Sequence, residues 1–219
     1  MNNYLIYHPS RVKTVIGNMT VYHDKFGSNE DPYIWNDKFI HTYCHITQLS
    51  NDKGQINFWV SGDKYPNFTH LYCDCVFVIA EKLYWDENNK IDRSDSIVDN
   101  DQTFEHNYKW ANTGNHLLLR RRRYTLKGDR NKSFQPQDKD KNLIDILPFL
   151  NQNGFKTTDL IKSMTSKRGS RPFKFDSIFG QKLYEYLFSK AAIKHYGKQL
   201  KNKHPNRKTI TSTTTCGHC

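Results

Sequence analysis

One short run, Cys75-Val76-Phe77-Val78-Ile79-Ala80, limits what this chain can fold into more than any other feature. A strand turns successive side chains to opposite faces, so a run that is apolar at every position has no face to give to water. The run is far short of the roughly 20 residues that cross a bilayer. It therefore reads as a central strand, covered on each side by a second sheet or by helices.

The first half around it has β character. Tyr4 to Tyr7, Thr14 to Tyr22, Phe39 to Thr47, Gln55 to Val60, Leu71 to Leu83 and His116 to Leu126 are rich in Val, Ile, Phe, Tyr and Thr. Turn signals such as Asn51-Asp52-Lys53-Gly54 and Ser61-Gly62-Asp63-Lys64 separate them. Asp86 to Gln102 is polar and acidic and reads as a solvated loop. Lys127 to Asn142 is also polar and marks a boundary, after which the pattern becomes helical. Leu143, Ile144, Ile146 and Leu147 suit a short helix that Pro148 starts late or kinks. Thr157-Thr158-Asp159 predicts an N-cap before Leu160 to Met164, and Asp176 or Ser177 predicts the cap of the longest helix. In that helix Phe179, Leu183, Tyr186/Leu187 and Ala191 recur at three- and four-residue spacing, and the helical pattern runs on through Lys190, Lys194 and Lys198. The expected fold is α+β. A mostly antiparallel, aromatic-rich sheet or open barrel occupies residues 1–130, packed helices fill 131–200 in the C-terminal third, and 201–219 form a flexible basic and Thr-rich tail.

Charge narrows the partners. The chain of 219 residues carries 33 Lys+Arg against 22 Asp+Glu, a formal charge of +11. Such an excess draws in polyanions and says nothing about fold. Aromatic residues are 14% of the chain, too many for a disordered one, and some of them offer planar faces on which bases can stack. No signal peptide or membrane-spanning run is visible, so a soluble, intracellular (cytoplasmic) protein without a membrane partner is expected. Five cysteines in such a chain suggest reduced thiols or metal ligands rather than a disulfide scaffold.

The densest cationic feature is Arg120, Arg121, Arg122 and Arg123, set between Leu117-Leu118-Leu119 and Tyr124-Thr125-Leu126-Lys127. On a strand the guanidinium groups point alternately to both sides, and their mutual repulsion calls for a compensating anion. With Lys127, Lys167, Arg168 and Arg171 they predict a surface for the phosphates of DNA or RNA. Beside the run lies Glu105-His106-Asn107-Tyr108-Lys109-Trp110, with His116 shortly after. A carboxylate and two imidazoles near cations supply the parts of metal-assisted phosphodiester hydrolysis. Glu105, His106 and His116 would serve as base or metal ligands and the arginines would hold the phosphate. Mg²⁺ or Mn²⁺ is the expected ion, with Zn²⁺ ranked below. A zinc site could draw on His41, Cys44 and His45 with His70, Cys73 and Cys75, but strand geometry puts both thiols of Cys73 and Cys75 on one face and favours simple burial. The terminal Cys216-Gly217-His218-Cys219 has dithiol spacing without the helix that would activate it.

Two faint resemblances bear on function. Phe58-Trp59-Val60-Ser61-Gly62-Asp63, followed by Tyr72 to Lys82, faintly resembles small β-barrel base readers of the PUA and EVE type, which hold an extruded nucleobase in an aromatic cage. The Glu-His…Asn…His series is loosely similar to HNH nucleases, with shorter spacing and no flanking cysteine knuckles. Neither assigns a family. The leading expectation is a nucleic-acid-acting protein of nuclease type. The alternatives are a non-catalytic binding module, either a base reader or a helix-turn-helix regulator built from Leu143–Leu150 and Thr158–Ser166, and a structural basic protein.

Overall fold

The structure, a computed structural model, describes residues 1–8, 11–23, 40–41, 52–63, 67–84, 124–164 and 171–196. In chain order the elements are β1 (Asn2–His8), β2 (Val12–Ile16), β3 (Met19–His23), β4 (Ile40–His41), β5 (Ile56–Gly62), β6 (Leu71–Tyr84), β7 (Tyr124–Gly128) and β8 (Gln135–Gln137). There follow α1 (Leu147–Gln152), α2 (Thr157–Met164), β9 (Phe173–Asp176), α3 (Ser177–Lys190) and β10 (Ile193–His195). This is an α+β fold in which strands dominate. Six strands make one sheet in the order β4-β7-β6-β5-β1-β9. Neighbours are antiparallel except β1 and β5, which run parallel.

The all-apolar run lies where its chemistry demands. β6 sits inside the sheet between β5 and β7, and Cys75 to Ile79 are all buried. Val76 and Val78 share one apolar core with Phe58 and Val60 of β5, Leu147 and Leu150 of α1, Leu160 and Met164 of α2, and Leu183 and Leu187 of α3. The three helices thus supply apolar cover for the sheet. Burying a side chain such as Phe58 contributes about 2–3 kcal/mol.

Local chemistry explains the helix ends. Asp145 Oδ1 accepts from the amides of Leu147 and Leu71, both at 3.0 Å, which ties the start of α1 to β6. Pro148 lies in the first turn, where a missing N–H costs nothing. α2 begins at Thr157, whose hydroxyl donates to Asn151 Oδ1 at 3.1 Å instead of capping its own helix. Asp176 does cap α3, accepting from Phe179 N at 2.7 Å. Among the described residues no helix is long and apolar enough to cross a membrane.

Several expectations are corrected. Thr14 to Tyr22 is a hairpin rather than one strand. Ile16 pairs with Met19 across Gly17-Asn18, and Gly17 takes the positive φ of 62° that such a two-residue turn requires. The last helix stops at Lys190 instead of running through the lysines. Ala191 is extended, and Ile193–His195 pairs with Gln135–Gln137, whereas a continued helix would have set Lys190 and Lys194 four residues apart on one face, where like charges repel. The polar stretch after Lys127 is partly interior, with Ser133, Phe134, Gln135 and Gln137 buried. Phe173–Asp176, from the C-terminal third, pairs with β1 at the sheet edge. The tail 201–219 lies outside the described residues.

Candidate nucleic-acid interface

Most of the residues that the sequence singles out for chemistry, namely Glu105, His106, His116, Arg120, Arg121, Arg122, Arg123, Lys167 and Arg168, lie outside the described residues. Two of the predicted contacts are placed. Lys127 sits on β7 opposite Glu81 of β6, with its ammonium 3.8 Å from Glu81 Oε2. Both side chains are partly open to water, so the pair contributes about 0–1 kcal/mol and leaves Lys127 free to meet another anion. Arg171 is exposed just ahead of β9. The arginine run itself ends at the residue before Tyr124, the first of β7, and β7 is an interior strand between β4 and β6.

Of the proposed zinc ligands, Cys44 and His45 lie outside the described residues, as do Cys216 and Cys219. Cys73 and Cys75 are buried free thiols. They do not share a face. Trp59 pairs with Cys75 and Val60 with Cys73, so Asp74 is an extra residue that flips the alternation. Cys73 joins the helix-side core, whereas Cys75 does not. Burial, aided by Asp74, pushes the Cys73 thiol well up and keeps it protonated. His70 is exposed, stacks on Tyr72 and lies 3.4 Å from Asp63 Oδ2. The Asp63 carboxylate accepts from the Thr69 hydroxyl and from the amides of His70 and Thr69, and these bonds hold it well below the usual range. Among the described residues no three His, Cys, Asp or Glu side chains are grouped to hold a metal.

The bulge has a second effect: it aims Asp74 into a polar junction. Asp74 Oδ2 accepts from Arg11 Nε at 2.7 Å, and Oδ1 accepts from Ser61 Oγ at 2.8 Å. Gln135 bridges this junction to the hairpin, its amide donating to the carbonyls of Asp74 and Tyr22 while its oxygen accepts from Tyr22 N. Gln137 Nε2 donates to the Thr20 carbonyl at 2.8 Å. His195, buried beside these glutamines, has its basicity lowered by burial, only partly offset by a hydrogen bond to the Thr20 backbone. These bonds tie the hairpin to β6 and β8.

A basic and aromatic surface lies at the C-terminal half of α3; its cations Arg130, Lys132 and Lys194 stand out in the sequence as basic residues, but its aromatic rings do not. Phe188 is exposed, and its ring lies near-parallel to Tyr184 (14°, centroids 6.1 Å apart). Both meet the buried Phe134 edge-on at 5.8 Å. Lys194 Nζ lies 4.5 Å from the Phe188 ring centre. The Tyr184 hydroxyl donates to the Lys132 carbonyl at 3.2 Å, and burial raises its pKa. The signal available in the sequence was Tyr184 and Phe188 at four-residue spacing beside lysines, off the Leu183/Leu187 side that faces the core.

Comparison of the chain with protein-family models, with curated proteins and with solved structures finds no match. Function therefore has to be argued from chemistry and geometry.

Proposed function

We propose that this protein acts on nucleic acid, binding phosphate through Arg120–Arg123, Lys127, Arg171 and the basic residues near them. One observation carries the reading: four consecutive arginines run directly into β7, an interior strand of the six-stranded sheet. Four cations adjoining a sheet strand in sequence concentrate positive charge for a polyanion, and a formal charge of +11 favours the encounter. In the full form of the reading, the aromatic-rich N-terminal sheet curls toward an open barrel with the C-terminal helices packed on it. The protein then works in the cytoplasm.

The catalytic form of this reading is metal-assisted phosphodiester hydrolysis. Glu105, His106 and His116 supply the carboxylate and imidazole donors that suit Mg²⁺ or Mn²⁺, with Zn²⁺ second, or that take a proton from attacking water. The arginines offset the charge that builds on the phosphate oxygens. The alternative is a non-catalytic binder, a base reader or helix-turn-helix regulator, or a basic structural protein. The pair α1 and α2, joined through Gly154 at φ 88°, with Lys162 exposed, is the feature that favours a regulator.

Incubation of the purified protein with plasmid and with RNA, with and without Mg²⁺ or Mn²⁺, tests the catalytic form. Cleavage that His106→Ala abolishes while binding survives supports it. Intact substrates under every condition remove it and leave the binding module.

A further inference from the structure

We propose that the Tyr184–Phe188 face of α3 is a stacking platform for the unpaired bases of single-stranded nucleic acid. The inference rests on the nucleic-acid reading above and narrows it to strands whose bases are free.

Phe188 is 43% exposed, an unusual place for a large apolar ring in a helix whose leucines reach the core. Its position is nevertheless fixed. Tyr184 lies alongside it, and Phe134, which is fully buried, supports both rings from below. A ring already held in one orientation loses little freedom when a base is laid against it. Stacking of this kind is tolerant of sequence because every base has a π-face, whereas bases paired within a duplex have theirs occupied.

The charges around the platform suit the phosphates of the same strand. Lys194 Nζ sits near the Phe188 ring and is held there by a bond to the Ala191 carbonyl at 2.8 Å. Arg130 and Lys132 lie on the turn that receives the Tyr184 hydroxyl. Among the described residues neither Arg130 nor Lys194 is ion-paired. The nearby carboxylates are used locally: Asp129 accepts from the amides of Asn131 and Lys132 and lies 4.0 Å from Lys132 Nζ, and Glu185 accepts from Gln181. Exposed aromatic surface with Lys194 against its ring and Arg130 and Lys132 on the adjoining turn matches a strand that presents flat bases and a charged backbone together.

The test is fluorescence anisotropy with four labelled probes of equal length: single-stranded DNA, single-stranded RNA, duplex DNA and an abasic single strand. A chelator in every sample stops any cleavage. Wild type is expected to hold a single strand more tightly than the duplex. Phe188→Leu, which keeps the apolar volume without the ring, is expected to weaken single strands roughly tenfold. It should leave the duplex and the abasic strand unchanged. An unchanged unfolding midpoint confirms that this exposed substitution leaves the fold alone. If Phe188→Leu binds single strands like wild type, or weakens all four probes equally, the platform is overturned while the wider reading stands. If wild type binds none of the probes even at low salt, both fall together.

Discussion

The core beneath the helices and the junction beneath the hairpin are held by opposite kinds of force. Around Val76, Val78, Leu183 and Leu187 the side chains pack against apolar neighbours, and the stabilisation follows the area removed from water whatever the direction of approach. Around Asp74, Arg11, Ser61 and Gln135 each group meets a named partner at hydrogen-bonding distance. Apolar packing tells a chain to collapse on a surface, but many arrangements satisfy it. A buried network of directed bonds admits few arrangements, and here it fixes where the β2–β3 hairpin sits on β6 and β8. The contrast teaches that the core supplies cohesion while the junction supplies register.

The largest test of this contrast is Asp74→Ala. Removing the carboxylate that holds the buried Arg11 guanidinium should cost about 4 kcal/mol in denaturant unfolding, whereas Arg11→Met with Asp74→Leu should cost markedly less than the two single changes summed. Strict additivity would show that the pair does not act as a unit. Next in size, Leu183→Ala should cost about 3 kcal/mol through the cavity it leaves, yet Leu183→Met should cost less than about 1.5. If Leu183→Met were as damaging as Asp74→Ala, the distinction between the two regions would vanish.

The smallest effect is a pH dependence at His195. Burial lowers its folded pKa below the unfolded value of 6.5, so the unfolded chain takes up the proton first. The stability tied to neutral His195 is complete above that value and is lost as the pH falls through the folded pKa. Unfolding curves should show wild type losing more stability than His195→Gln between neutral pH and mildly acidic pH. Parallel losses in the two proteins would place the acid sensitivity elsewhere.

These two regions also differ in how far they can be read from the chain. The central strand and the Leu183/Leu187 side of α3 were legible because burial of apolar side chains imposes a period on the sequence. So was the Asp176 cap, since a short acceptor before a helix has a defined use. The junction was not legible. Gln135 and Gln137 look like loop residues, and nothing local reveals that backbone carbonyls of Thr20, Tyr22 and Asp74 await them. The bulge at Asp74 was equally hidden, and with it the separation of Cys73 from Cys75, because alternation assumes an unbroken register. The turn at Gly17-Asn18, by contrast, carried a usable hairpin signal. Of the predicted phosphate contacts only Lys127 and Arg171 fall among the described residues, and Phe188 escaped notice because its four-residue partner, Tyr184, lies off the apolar stripe.

The position of β1 has a consequence for the order of assembly. Its Tyr4 pairs with Asn57 on one side and with Lys174 on the other. During synthesis this strand emerges well before either neighbour, and its second edge stays open until the β9 segment has been made. Closing such distant contacts pays loop entropy before any reward arrives, which slows folding. The nascent chain therefore carries a half-zipped strand while the residues between Gly62 and Phe173 are being made, a natural handle for a chaperone and a hazard in its absence.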